Sequence, residues 1–437
     1  MLNIAAKILN MNYKETLNFL FSQLPIYQRQ GKAAYKADLH NTLELDAYFS
    51  HPHKAYKTIH IAGTNGKGSV SHMIASVLQK SGYKTGLYTS PHLKDFRERI
   101  RINGKKISEN EVISFVEENQ EIIQKIKPSF FEMTVAMAFY YFRKEKVDIA
   151  VIETGLGGRL DSTNILSPIL SIITNIGYDH MMFLGDSIEK IASEKAGIIK
   201  PKIPVIIGKT QNEAIEIFKD KAAKGNSPVY FADQIFQIQE ERSKNDKKHF
   251  IIKNTKSQYQ YKISTDLLGD YQKENIITAL TSLVKLHEMN QIKASINDIE
   301  SGFSKVAEKT GLTGRWQILS KKPLIIADTA HNEQGIQCVM NQIRKTPHHN
   351  LHFILGMVND KNSNAILNLL PKNAEYYFTK ANIPRALSVE ELKICAENAG
   401  LKGRIFQKVR QAIDHAKKNA TENDLIFIGG STFVVAD

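Results

Sequence analysis

A chain of 437 residues with 42 % hydrophobic content is too long for one compact core and has enough apolar material to fill two, so a soluble two-domain protein is expected. Its 58 Lys and Arg exceed its 45 Asp and Glu, for a net charge of +13, which by itself admits nucleic acid, anionic membrane or anionic small molecules as partners. The basic residues are scattered, however, with no basic repeat interleaved with aromatics and no run approaching a membrane span, so nucleic acid and membrane are set aside, and a user of ATP and polyanions suits the charge equally well. The N-terminal stretch, MLNIAAKILNMNYKETLNFL, is amphipathic without an apolar core or small-residue cleavage site, which leads us to expect a cytoplasmic protein. Cys338 and Cys395 each fall in a helical pattern and are expected as two buried thiols of a reducing compartment.

Residues 14–24 and 41–50 carry helical periodicity, separated by the polar loop Gln28–Lys32. An apolar strand from Thr58 to Ala62 then runs into Gly63-Thr64-Asn65-Gly66-Lys67-Gly68-Ser69 and an amphipathic helix over 71–78. Strand, glycine-rich turn and helix form a phosphate-binding loop: the glycines let successive N–H groups face an anion, the helix N-terminus adds partial positive charge, Lys67 reaches the terminal phosphates and Ser69 is placed for Mg²⁺. The spacing departs from the general nucleotide loop, because only Thr64 and Asn65 separate Gly63 from Gly66-Lys67, and Gly68 separates Lys67 from Ser69.

Thr85–Thr89 reads as a strand ended by Ser90-Pro91-His92-Leu93. The charged stretch 96–103, FRERIRIN, reads as an excursion over a site rather than a core element, and helices are expected over 109–126 and 129–142. Asp148–Thr154 is a buried-strand pattern closed by Glu153 and followed by the loop 155–164; Ile169–Asn175 is another strand, leading to Gly177-Tyr178-Asp179-His180. Strands alternating with helices predict a doubly wound, mostly parallel α/β sheet with its ligands beyond the carboxyl ends of the strands, where the residues of chemical interest fall. Residues 235–265 alternate polar and apolar as an antiparallel meander, with a hairpin tip at Lys244–Lys248. Helices over 270–288 and 296–305 close a first domain of residues 1–308. A linker at 309–315 leads to a smaller Rossmann-like α/β domain, 316–437, with strands at 324–327, 351–356, 375–379 and 425–429 and helices at 333–344, 363–370 and 388–399.

A carboxylate at the end of a buried strand beside a glycine-rich loop suits Mg²⁺ in a nucleotide site, and Glu153 fits that description, although in isolation it also suits a helix cap or a surface acid. The loop GTNGKGS resembles that of the folylpolyglutamate synthase and dihydrofolate synthase branch of the Mur ligase superfamily, ATP-dependent enzymes that form amide bonds. The resemblance continues in order from about residue 41 to the C-terminus, through ETGLGGRLDSTN, Ile173–Ile176 with His180, IASEKAGI, YQKEN, Gly314-Arg315-Trp316, Asp328-Thr329-Ala330-His331-Asn332, the segment Phe353–Lys361 and Gly429-Gly430-Ser431-Thr432. Thr329 stands where the family usually has Gly, and Ser162 where many relatives have Ala.

The resemblance implies two magnesium ions, one held by Ser69, Ser90 and Glu153 and a second involving His180. It makes Lys195 the lysine that many members carbamylate, since a carbamate offers an anionic oxygen where an ammonium would repel the ion. Asn275, Arg315, Asp328 and His331 carry over as nucleotide contacts, with Lys67, Lys195 and His331 taken as the catalytic set. Ser129, Phe130, Phe131, Leu160, Asp161 and Ser162 carry over as the pteroate pocket; for the Phe pair, an ordinary helix start packed into the core remains an equal reading. The implied reaction is MgATP-driven ligation of L-glutamate to dihydropteroate, to reduced folates or to both, and a monomer is expected. A cell-wall precursor ligase of the same superfamily is the rival reading, and a phosphate-loop switch protein without ligation is a rival of another class.

Overall fold

The computed structural model describes residues 11–24, 38–359 and 363–437. The predicted loop Gln28–Lys32, the first ten residues, and Asp360 and Lys361 of the family-like segment lie outside them. The strands in chain order are β1 (Lys57–Ala62), β2 (Thr85–Tyr88), β3 (Ile100–Ile102), β4 (Lys105–Lys106), β5 (Ile149–Glu153), β6 (Leu170–Ile173), β7 (Val205–Ile207), β8 (Val229–Phe231), β9 (Phe236–Lys244), β10 (Lys247–Asn254), β11 (Gln260–Thr265), β12 (Gln317–Lys321), β13 (Leu324–Ala327), β14 (Leu351–Leu355), β15 (Glu375–Phe378), β16 (Gly403–Ile405) and β17 (Leu425–Gly429).

The first sheet runs β4-β3-β2-β5-β1-β6-β7-β8, parallel except for the antiparallel edge made by β3 and β4. From β1 the chain crosses to β2, fills the gap with β5, then returns past β1 to β6, β7 and β8. Strand order thus reverses around β1, and the crevice this opens lies outside the carboxyl ends of β1, β5 and β6. Both faces of the central strands are covered, so these strands are largely apolar: Ile149 and Val151 of β5 enter one core, while Ala150 and Ile152 enter the core on the other face. The helix Lys67–Lys80 that follows β1 is enclosed over most of its length, with Ser69–Leu78 buried. It packs so tightly on helix Ile296–Phe303 that a Cβ at Gly302 would stand 2.6 Å from the Cα of Val77.

The predicted meander is the antiparallel sheet β11-β10-β9. After helix Val306–Thr310 the chain enters a second sheet, β12-β13-β17-β14-β15-β16, parallel apart from β12.

Four expectations need correction. Residues 96–103 are not an excursion: Phe96–Arg99 is a short helical turn and β3 is buried at every position. Their charge misled because the burial is made possible by acceptors that the fold brings to them, Arg101 donating to the carbonyls of Gly104 (3.2 Å) and Gly311 (3.4 Å) and Arg99 Nε to His92 Nδ1 (2.8 Å). The 109–126 helix is two, Glu109–Glu118 and Gln120–Ile126, broken where the Asn119 side chain donates to the carbonyl of Phe115 (2.7 Å). Cys338 and Cys395 are free thiols on helices, but half-buried rather than buried. Finally, β7, β8, β12, β16 and the helices Asn212–Lys224 and Val409–Asn419 were not anticipated; β7, β8 and β16 span only three residues each, too few for a period to register.

Candidate active site

The turn after β1 is held from β6 and the segment behind it. Thr64 N–H donates to the carbonyl of Asn175 (2.8 Å), Asn65 N–H to the Asn175 side-chain oxygen (2.9 Å), and the Thr174 hydroxyl to the carbonyl of Asn65 (2.6 Å). Glycine is required at Gly66, whose φ is +88° and whose missing Cβ would sit 2.2 Å from Asn275 Oδ1. That contact sets Asn275 against the turn; its amide donates to Gln272 (2.8 Å), and Gln272 donates to the Ser69 hydroxyl (3.2 Å).

Two lysines converge on the turn. Lys67 Nζ donates to the carbonyls of Gly63 (3.1 Å) and Thr64 (3.2 Å), and Lys195 Nζ donates to the same Gly63 carbonyl (2.8 Å). Lys195 is 4 % exposed, and burial, reinforced by Lys67, lowers its pKa to about 7. Glu153 is likewise buried, its Oε2 accepting the Ser90 N–H (3.0 Å); burial raises its pKa against the pull of Lys67. A Cβ on Gly68 would lie 3.7 Å from Glu153 Oε2 and 3.8 Å from an Arg315 nitrogen, so carboxylate, guanidinium and helix N-terminus meet at one point.

The second sheet contributes the opposite wall. Asp328, at the end of β13, accepts from the Tyr271 hydroxyl (2.5 Å) and the Trp316 and Ala330 amides (2.7 and 2.8 Å), which locks the linker end carrying Arg315. Arg315 donates to the Gly314 carbonyl (3.2 Å) and to the Thr329 hydroxyl. His331 donates from Nδ1 to the Thr329 carbonyl (3.0 Å) and turns Nε2 toward Asp179 (3.7 Å). Partial desolvation in the cleft lowers its proton affinity but Asp179 outweighs that, leaving its pKa raised. Asp179, in turn, is held well below the usual carboxylate range by His331 and His180 despite its burial. Asn332 and Asn65 exchange amide hydrogen bonds (2.9 and 3.3 Å), and Asn332 also donates to Asp179 (3.2 Å), so the two sheets are clasped at the phosphate loop itself.

Two cavities meet here. One, about 630 Å³, is lined by Gly66–Ser69, Asn275, Arg315, Asp328 and His331. The other, about 720 Å³, is lined by Ser129–Phe131, Leu160–Ser162, His180 and Ser431. Thr64, Lys67, Ser90 and His331 line both.

The predicted pocket residues divide in character. Phe131 faces Gly155 so closely that a Cβ there would be 2.4 Å from its ring, while Phe130 is buried, stacked on Phe21 at 5.2 Å with the Arg99 guanidinium over its ring at 5.2 Å. Ser129 caps its helix, reciprocally with Glu132. Asp161 turns its carboxylate toward its own loop, accepting from Gly155 N, Leu156 N and Thr163 N (2.8, 2.8 and 3.0 Å) and from the Thr163 hydroxyl. These four bonds brace the glycine loop, and Asp161 also lines the larger cavity. Asn175, Asp179, Gln272, Tyr271 and Asn332 were given no role from sequence, although Asn175 and Asp179 follow the carboxyl end of β6, the position where a doubly wound sheet keeps its working side chains.

Among the described residues no three His, Cys, Asp or Glu side chains converge to form a metal cage by themselves, and no helix is long and apolar enough to cross a membrane.

Residues 61–283 match the Mur ligase middle domain and residues 314–432 the Mur ligase, glutamate ligase domain. A dihydrofolate synthase/folylpolyglutamate synthase of Bacillus subtilis is 32 % identical over 415 residues, covering 93 % of this chain and 95 % of that protein. Among solved structures, E. coli FolC in complex with DHPP and ADP superposes with a TM-score of 0.84 at 27 % identity, covering 98 % of this chain and 96 % of that one. A bifunctional folylpolyglutamate synthase/dihydrofolate synthase of Yersinia pestis complexed with AMPPNP and Mn ion gives 0.83 at 26 %, covering 98 % and 97 %.

Proposed function

The chain belongs to the dihydrofolate synthase/folylpolyglutamate synthase family of Mur ligases, and from that premise we propose that it uses ATP to join L-glutamate to 7,8-dihydropteroate and to the γ-carboxylate of reduced folates. The observation that carries this reading is the shared wall of the two cavities: Lys67, Thr64, Ser90 and His331 stand between a phosphate loop and a pocket with an aromatic side, as transfer of a phosphoryl group from nucleotide to acceptor requires.

In this reading the γ-phosphate of ATP draws Lys67 away from the carbonyls it now holds, and Arg315 faces it from the linker. The acceptor carboxylate attacks the γ-phosphorus, the bond to the β-bridging oxygen breaks, and ADP leaves an acyl phosphate. The amine of glutamate then attacks the acyl carbon, loses a proton, and expels phosphate. The cationic side chains act where charge gathers on the transferred group, and the clasp of Asn65 and Asn332 holds the two sheets together beside it.

The donor set supports two magnesium ions. Ser69, Ser90 and Glu153 offer hard oxygens, and a buried carboxylate with a raised pKa is the group that a cation would relieve; His180 with a carbamylated Lys195 suits a second. When bound, magnesium supplies neutralisation of the phosphate oxygens. We assign residues 1–308 to nucleotide and acceptor, 309–315 to the linker and 316–437 to the glutamate side, and read one cytoplasmic chain as the working unit, since both cavities are lined within it.

Purified protein given ATP, glutamate and either dihydropteroate or a reduced folate is expected to release ADP and phosphate only when one of those acceptors is present. Turnover with a nucleotide-linked sugar acid instead would move the chain to the cell-wall branch, and turnover indifferent to glutamate would end the ligase reading.

A further inference from the structure

His60 lies in the middle of β1 with no exposed surface, on the strand that leads directly into the phosphate loop. It is a poor core filler: its Nδ1 is buried with no partner, and burial together with Lys200 lowers its pKa to about 3, so it is a neutral imidazole at any physiological pH. Its polar contact is Nε2 to the hydroxyl of Thr163, 2.8 Å away and equally buried. That hydroxyl donates its proton to Asp161 Oδ1, so it has only lone pairs to offer the imidazole, which fixes His60 as the Nε2–H tautomer. Asp161 passes the constraint on through Oδ2 to the N–H groups of Gly155 and Leu156, and Gly155 lies against the ring of Phe131. Gly155, Leu156, Asp161 and Phe131 all line the larger cavity.

We infer that His60, acting through Thr163 and Asp161, is a positioning residue that sets the wall of the acceptor cavity from the strand that carries the phosphate loop. One strand would thereby hold the phosphate donor and the acceptor in register. The inference rests on the acceptor assignment above only for which substrate feels the change; the hydrogen-bond chain itself is a property of the free protein.

The test uses the full chain with Thr163→Val, His60→Leu and His60→Gln. In Thr163→Val and His60→Leu the KM for the pterin-bearing acceptor should rise about tenfold while the KM for ATP stays within about twofold, and His60→Gln, which keeps a donor near Nε2, should recover most of the loss. Amide hydrogen exchange at Gly155 and Leu156 should quicken in the first two variants, and nitrogen NMR of the wild type should show His60 as an Nε2–H tautomer unchanged from pH 5 to 9. An unchanged acceptor KM in a folded Thr163→Val, an equal rise in the KM for ATP, or an Nδ1–H tautomer overturns the inference. If His60→Leu does not fold, Thr163→Val and the wild-type tautomer decide. A wild-type protein that accepts no pterin substrate would overturn the proposed function instead, and exchange and tautomer would still decide the role of His60.

Discussion

Lys67→Ala is expected to lower turnover on the order of 10²- to 10³-fold, because it removes a cation aimed at the charge that develops on the transferred phosphoryl group. The fold should survive. Lys67 makes its bonds with two carbonyls of its own turn, and the Gly63 carbonyl keeps the Lys195 ammonium as a donor when the Lys67 side chain is cut. ATP should still bind through the loop amides, so the loss should appear in kcat more than in the nucleotide dissociation constant, measured by calorimetry beside steady-state kinetics. A variant with near wild-type turnover would show that the loop does not handle the reacting phosphate.

Lys195 gives the second large effect, with a pH dependence of known sign. An ordinary lysine, near 10.5, is neutral at pH 7 to only about one part in three thousand; with its pKa lowered to about 7, Lys195 is about half neutral there and about nine-tenths neutral at pH 8. Only the neutral amine attacks CO₂, forming the N–C bond and releasing a proton. Carbamylation, and with it activity, should therefore climb as pH rises through 7 and depend on bicarbonate. The unmodified chain should follow the same direction in stability: the burial penalty on the charged lysine is greatest below about pH 7 and is relieved toward 10.5, since over that window the unfolded chain binds the proton and the folded chain releases it. Lys195→Ala should lose about 10²-fold or more in turnover, with partial rescue by acetate or formate in the vacated space. Plain lysine found by intact mass in the active, nucleotide-bound protein would contradict the carbamate.

What could be read from the sequence followed from how local each signal is. The phosphate loop was legible because its chemistry is contained in seven consecutive residues, and Glu153 because it ends an unbroken apolar strand. The edge strand β3 was not, since Arg99 and Arg101 make it look solvated and their acceptors, His92, Gly104 and Gly311, are set by the tertiary fold. For Asp161 the sequence indicates no partner: that its carboxylate accepts from the Thr163 hydroxyl and from the Gly155 and Leu156 amides depends on how the loop folds back on itself. The clasp between Asn65 and Asn332 spans the two sheets and had no sequence signal of its own. Phe130 and Phe131, equal candidates in sequence, differ by where one helical step points them: one into the Phe21 and Phe96 cluster, the other onto Gly155.

In the proposed reaction the acceptor carboxylate takes the γ-phosphoryl group before glutamate arrives, at the wall where the two cavities meet. Dihydropteroate labelled with ¹⁸O in its carboxylate tests it most directly, with the released phosphate read by mass spectrometry or ³¹P NMR. If the acyl phosphate forms, each phosphate carries one oxygen from the labelled carboxylate, and ADP carries none. Unlabelled phosphate, or AMP and pyrophosphate with the label in AMP, would contradict it.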